Sequence, residues 1–251
     1  KMEKTNNIEE LHKALILGIK DYFKKNRFQK AVIGLSGGID SSVAACLVVK
    51  ALGNKNVTAL LMPELNLTSK QSIEDAKNLA KKLKIKHHFL AINDIVKCFN
   101  DVSNVYATAN LKARIRMMLL YYYANLNNAL VIGTSDKSEI ALGYTTKYGD
   151  NAADIWVIGD LWKTEVIEMG KFLGMPTSIV KKKPSAELII GQTAEKELGA
   201  DYEVLDKILK TYIEEDLSVK EIINKGFNKK IVKNVVNRIR LNEHKRRTAM
   251  L

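Results

Sequence analysis

The chain has 251 residues, 46% hydrophobic and 27% charged, values near the globular average that exclude disordered and fibrous classes. A formal net charge of +12 points to polyanionic partners, whether nucleotides, nucleic acid or a membrane surface, without choosing among them. No apolar run approaches the roughly 18 residues of a membrane span, and the opening stretch lacks a signal peptide's apolar core, so a cytoplasmic protein is expected.

Ile8, Leu11, Leu15, Ile19, Tyr22 and Phe23 recur at helical spacing and predict an amphipathic opening helix. AVIGL at 31–35 reads as a buried strand, the glycines after it as a loop, and SSVAACLVVKAL as a buried helix. The unit recurs. VTALLM at 57–62 leads to a helix over 69–83, HHFLAI at 87–92 to a helix from Asp94, and ALVIG at 129–133 to another helix. Buried strands alternating with helices predict an α/β fold, a parallel sheet covered on both faces. The stretch 143–160, GYTTKYGDNAADIWVIGD, has no clear period and reads as a long loop, of a kind that is usually functional or disordered. Beyond Gly174 the strand signal fades, and helices over 201–214 and 229–241 predict a helical C-terminal extension. With three prolines and no Gly/Ser-rich linker, a single domain over 1–251 is expected. Cys46 and Cys98 lie among apolar neighbours and are expected to be buried free thiols in a reducing compartment. The basic runs at 181–183 and 245–247 lack interleaved aromatics and read as solvated surface, so no nucleic-acid or membrane partner is assigned.

The strongest local signal is SGGIDSS at 36–42, directly after one predicted strand and before one predicted helix. Glycines allow positive φ and close backbone approach, backbone N–H groups can converge on an anion, and the helix adds the positive end of its dipole. The segment lacks the Gly-Lys-Ser/Thr ending of a Walker A loop and the third glycine of a dinucleotide fingerprint. It resembles the SGGxDS pyrophosphate-binding loop of ATP pyrophosphatases. The plainer alternative is a tight turn in which Asp40 and Ser41 cap a helix. A phosphate cradle beside Asp40 needs a countercharge, which implies Mg²⁺. Glu139, in GTSDKSE after the 129–133 strand, is the second acidic candidate, because loops at the carboxyl ends of parallel strands can share one crevice.

GTSDKSEIALGYTTKYGDNAADIWVIGDLWKTEV at 133–166 resembles the signature region of bacterial NAD synthetases. NLKARIRM from Asn110, KKPSAEL from Lys182 and NEHKRR from Asn242 match further blocks in the same order, so the resemblance spans roughly residues 10–247. It implies a doubly wound sheet of the adenine nucleotide alpha hydrolase type, a homodimer, Mg²⁺ and ATP, and adenylation of the nicotinate carboxylate of deamido-NAD before ammonia attacks it. By motif, the ATP site would comprise Gly34, Ser36, Gly37, Gly38, Asp40 and Ser41, with Thr134, Lys163 and Ser185. The deamido-NAD site would comprise Arg114, Lys147, Asp154, His244 and Lys245. Mg²⁺ would rest on Asp40 and Glu139, and the catalytic set would be Asp40, Glu139, Lys163 and Asp154, the last as a helper in ammonia deprotonation. Arg116, two places beyond Arg114 on a helix, points elsewhere and reads as structural. The sequence departs from the family's usual pattern at Asn151, Trp156, Val157, Glu187, Ala194 and Lys196.

A carboxylate is unreactive towards amines until it is activated, and a mixed anhydride with AMP supplies that activation. Free ammonia is expected as the nitrogen donor, because no glutaminase-sized addition is present and neither cysteine sits in a nucleophile context. Two rivals remain: an ATP enzyme of the same type that adenylates a tRNA base, and a non-catalytic module that only holds an adenine nucleotide.

Overall fold

A computed structural model describes residues 7–99, 103–182, 189 and 193–247. The opening helix α1 (Asn7–Lys25) turns Ile19 and Phe23 inward, as their spacing predicts. There follow β1 (Lys30–Gly34), α2 (Ile39–Leu52), β2 (Val57–Leu61), α3 (Lys70–Lys82), β3 (Lys86–Phe89) and α4 (Asn93–Lys97). Next come α5 (Val105–Asn127), β4 (Ala129–Gly133), α6 (Lys137–Leu142), β5 (Ile155–Trp156), α7 (Lys163–Phe172) and α8 (Thr177–Val180). Four helices complete the described chain, α9 (Ala194–Leu198), α10 (Tyr202–Ile213), α11 (Val219–Asn224) and α12 (Lys229–Leu241), before a 3-10 turn at Glu243–Lys245.

The five strands are all parallel, in the order β3-β2-β1-β4-β5. β1 is central, pairing Ala31 with Val57 on one side and Lys30 with Ala129 on the other. Its apolar residues and those of β4 are buried on both faces, which is why they read as continuous runs rather than alternating ones. One face packs Ile33 and Leu61 against α1, α2, α3 and α7; the other packs Val32, Leu60 and Val131 against α4 and α5. A separate core, with Trp162, Leu205, Leu209 and Val235, joins α6 to the C-terminal helices, the expected helical extension. The winding changes direction between β1 and β4, so the loops after these two strands flank a crevice at their carboxyl ends.

Three expectations change. The helix expected from Asp94 is two helices, α4 and α5, divided after Lys97. HHFLAI shortens to β3, half-exposed because it is an edge strand with one pairing partner. The long loop at 143–160 contains β5, whose two residues are too few to show a period; Asp154 starts its pairing, its N–H donating to Val131 O at 3.0 Å. Gly133 makes room for it, since a Cβ there would stand 2.1 Å from Cδ1 of Trp156.

Candidate active site

The loop after β1 is shaped by its small residues. Gly37 takes φ 78°, and a Cβ on it would lie 2.1 Å from the carbonyl oxygen of Ser72 at the start of α3, so only glycine fits. Gly38 is the N-cap of α2 with extended backbone and no side-chain cap. Hydroxyls brace the turn: Ser41 Oγ lies 3.0 Å from Ser36 Oγ, and Ser42 Oγ donates to Gly38 O at 2.7 Å. Asp40, in the first turn of α2, does not cap that helix. Its Oδ1 instead accepts from Lys163 Nζ at 2.7 Å, which sets aside the plainer reading of Asp40 as a cap.

Lys163, the first residue of α7, has a side chain 0% exposed, and three carboxylates surround its ammonium. Asp40 Oδ1 lies at 2.7 Å, Asp136 Oδ2 at 2.8 Å and Glu139 Oε1 at 2.8 Å. The Tyr202 ring faces the same ammonium at 5.3 Å. Burial alone would lower the Lys163 pKa, but Asp136, Asp40 and Glu139 outweigh it and hold the ammonium well above the ordinary lysine value. Burial pushes Asp136 up to about 6 against the pull of Lys163. Burial, with the neighbouring acids Asp136 and Asp40, also raises Glu139 well above its usual range in spite of Lys163. Fully ionised, three acids against one ammonium leave the cluster net negative.

Sequence reasoning missed Asp136. A local signal was present, an Asp three places before Glu139 at a helix start, and Asp136 does cap α6, with Oδ1 accepting from Glu139 N at 2.8 Å. Nothing local reveals that its other oxygen meets Lys163.

Asp40 and Glu139 open onto a cavity of about 270 Å³, also lined by Ser36, Gly38, Ser41 and Thr134. Lys163 does not line it and sits behind the two acids. Mg²⁺ is commonly held by one or two carboxylates plus substrate phosphates. A complete protein cage, absent among the described residues, is therefore not required, and hard oxygens on a net negative cavity wall fit the ion.

Arg116 points to another side than Arg114 and braces the backbone, its Nε donating to Met62 O at 2.9 Å, and it also lines the cavity, whereas Arg114 does not. Two residues on a helix are about 200° apart, and the cavity happens to lie on the Arg116 side.

Arg114 joins a second group. Its Nε and Nη2 donate to Lys147 O at 3.3 Å, and Lys147 Nζ donates to His244 O at 2.7 Å. Lys245 Nζ donates to Gly143 O and Thr145 O, both at 2.8 Å, and burial lowers its pKa. Asn151 ties the same parts, accepting from Tyr148 N at 2.8 Å and donating to Lys245 O at 3.1 Å. The loop at 143–151 and the C-terminal turn thus bring Arg114, Lys147, His244 and Lys245 together. Asp154 stands apart from both groups. Its Oδ2 accepts from Val131 N at 2.7 Å and its Oδ1 from Tyr121 Oη at 3.4 Å, so the carboxylate braces the sheet edge. Ser185 and Glu187 lie outside the described residues. Cys46 is buried, with its thiol pushed up to about 11 by that burial, but Cys98 is exposed, because the short α4 turns Val96 inward instead.

The NAD synthase family model matches residues 11–249. The NH₃-dependent NAD⁺ synthetase of Staphylothermus marinus is 43% identical over 95% of this chain and 89% of its own length. The glutamine-dependent NAD⁺ synthetase of Aquifex aeolicus is 45% identical over 96% of this chain but only 44% of its own. Among solved structures, the NMN synthetase of Francisella tularensis superposes with a TM-score of 0.87, at 35% identity, over 98% of both chains.

Proposed function

The chain belongs to the NAD synthase family, and from that premise we infer that it amidates the nicotinate carboxylate of deamido-NAD with ammonia, consuming ATP. The observation that carries this reading is the pair of carboxylates, Asp40 and Glu139, held by one buried lysine at the edge of a cavity next to a glycine-rich loop. The nicotinate oxygen attacks the α-phosphorus of ATP and pyrophosphate departs. Ammonia then attacks the activated carbonyl carbon, and AMP leaves.

In this scheme Gly34, Ser36, Gly37, Gly38 and Ser41, with Thr134 and Ser185, hold the ATP phosphates and ribose. Backbone N–H groups and the start of α2 supply fixed positive potential, which costs no reorganisation as charge develops on the pyrophosphate. Asp40 and Glu139 would hold Mg²⁺, which when bound neutralises phosphate charge and steadies the leaving pyrophosphate. Lys163 lets the two acids stand side by side in the absence of that charge. Arg114, Lys147, His244 and Lys245 are assigned to the anionic deamido-NAD. Arg114 offers a planar fork and the lysines offer point charges. Asp154, with both carboxylate oxygens engaged by Val131 and Tyr121, is better assigned to holding the loop start than to deprotonating ammonia.

We further infer one synthetase domain over 1–251, working as a homodimer in the cytoplasm. Met118, Tyr122 and Leu126 form an exposed apolar stripe at helical spacing on α5, with Tyr122 64% and Leu126 66% exposed, which supports a second copy as its cover. The free thiols support a reducing compartment. Among the described residues no helix is long and apolar enough to cross a membrane. Sedimentation equilibrium tests the dimer, and a Tyr122→Lys variant should shift it to monomer.

A second reading is amidation of the mononucleotide, favoured by the likeness to the Francisella NMN synthetase. Both substrates present the same nicotinate carboxylate. The deciding experiment follows AMP and pyrophosphate release with ATP, Mg²⁺ and ammonium, using deamido-NAD or nicotinate mononucleotide as acceptor. Faster turnover of deamido-NAD is expected; preference for the mononucleotide overturns the first reading. Robust product formation with glutamine as sole donor overturns the ammonia assignment, and release without either acceptor favours neither substrate.

A further inference from the structure

At the N-terminus of α7, Glu165 Oε2 accepts from Trp162 N at 2.9 Å, but the N-cap side chain offers no acceptor to the first turn. That N-cap is Trp162, whose indole nitrogen can only donate, and the N–H groups of Lys163 and Thr164, in the first turn, have no acceptor within the helix. Both groups find acceptors elsewhere in the chain. Lys163 N donates to Ser138 Oγ at 2.9 Å, and Thr164 N donates to Asp206 Oδ2 at 2.8 Å. The two acceptors are themselves joined, since Ser138 Oγ donates to Asp206 Oδ1 at 2.5 Å. Asp206 is 2% exposed and lies on α10, one turn after Tyr202, whose ring packs against the Lys163 ammonium. A carboxylate at this place also complements the positive end of the α7 dipole. Helix α10 therefore holds both ends of one residue: Asp206 anchors the backbone beside Lys163 and Tyr202 backs its ammonium.

We propose that Asp206 is a positioning residue of the catalytic cluster, capping α7 from the C-terminal helical layer so that Lys163 stays between Asp40, Asp136 and Glu139. This rests on the reading of Asp40 and Glu139 as the Mg²⁺ carboxylates. The physical reason is geometric. Lys163 is the first residue of α7, so any fraying of that first turn moves its Cα and pulls the ammonium out of a shell whose three contacts are all within 2.8 Å. Ser138, joined to Asp206, lies next to Glu139 in α6, so the same anchor steadies the lysine and one of its acids.

The test uses Asp206→Asn, which keeps size and one acceptor, Asp206→Ala, which keeps neither, and Tyr202→Leu. Hydrogen exchange of the metal-free protein reads the anchor directly: the Lys163 and Thr164 amides should lose protection in Asp206→Ala and keep part of it in Asp206→Asn. In turnover, loss of such supporting contacts lowers metal use or rate by about 10- to 100-fold. The expected pattern is a lower kcat and a higher Mg²⁺ concentration for half-activation, with the KM for deamido-NAD nearly unchanged, Asn milder than Ala and Tyr202→Leu in the same direction. A purely structural role gives another pattern, a lower melting temperature with normal turnover and Mg²⁺ response per folded molecule, and that result overturns the proposal. If Asp206→Ala does not fold, Asp206→Asn decides it on the same readouts. Asp40→Asn separates the two layers of inference. Normal Mg²⁺ activation in Asp40→Asn sinks the metal reading itself, whereas its loss there together with a normal response in both Asp206 variants sinks only the positioning role.

Discussion

Lys163 and Asp40 stand 123 positions apart in the chain, yet Nζ and Oδ1 meet at 2.7 Å. That contact joins the first turn of α7 to the first turn of α2 across the carboxyl end of the sheet, and Glu139 completes it from the first turn of α6, which follows β4. Asp40 and Glu139 line the cavity and the lysine sits behind them, which separates charge balance from ligand binding and gives each residue its own test.

The first test concerns the acids. Asp40→Asn and Glu139→Gln preserve size and remove one charge each, so both variants should fold and lose most pyrophosphate release, with partial recovery at high Mg²⁺. Near-normal turnover of either variant at limiting Mg²⁺ would remove that residue from the metal site. Asp136→Asn keeps the helix cap but not the charge, and should show a milder loss of the same kind.

Removing the lysine should act on stability first. Lys163→Met leaves the buried Asp136 and the part-buried Asp40 and Glu139 without their countercharge, and breaking a buried ion pair destabilises by about 3–5 kcal/mol. The sign with pH follows from the raised acids. A carboxyl whose folded pKa lies above its unfolded value favours the fold below the unfolded value and loses that contribution as pH rises through the folded one, near about 6 for Asp136. Lys163 itself stays charged throughout, because its pKa is raised. Urea unfolding should therefore show a deficit against the parent that is largest at neutral and higher pH and shrinks on acidification. A deficit that does not change with pH would show that the cluster is not electrostatically coupled.

The same carboxyls set an acid limit on activity. Asp136 ionises at about 6 and Glu139 higher than an ordinary glutamate, so protonation below that range removes the net negative charge that attracts a divalent cation. The Mg²⁺ concentration for half-maximal pyrophosphate release should climb as pH falls through about 6. A half-activation concentration that stays flat from neutral pH down to the ordinary carboxylate range would contradict it.

Arg114 and Arg116 should separate the two substrates. Loss of a charge-assisted pair costs on the order of 1.5–3 kcal/mol, about a 10- to 150-fold change in a binding constant. Arg114→Ala should weaken deamido-NAD by that order and ATP far less, whereas Arg116→Ala, at the cavity wall, should weaken ATP more. Equal changes for both substrates in either variant would break the division of the site.

Much of this molecule was legible in the sequence because its signals are local. The apolar runs of β1, β2 and β4, the helical spacing of α1 and α12, and the SGGIDSS turn between a strand and a helix all arise from neighbours a few places apart. The family blocks named Asp40, Glu139 and Lys163 in the same way. Tertiary structure alone decided that these three share one ion cluster, that Asp136 joins them, and that Arg116 rather than Arg114 reaches the cavity. It also decided that two residues of an aperiodic loop become β5 and that Cys98 faces solvent. Propensity and periodicity act over one or two turns of chain, whereas charges pair across whatever loops the strand order brings to the same sheet edge, and that order is set by packing of the entire core.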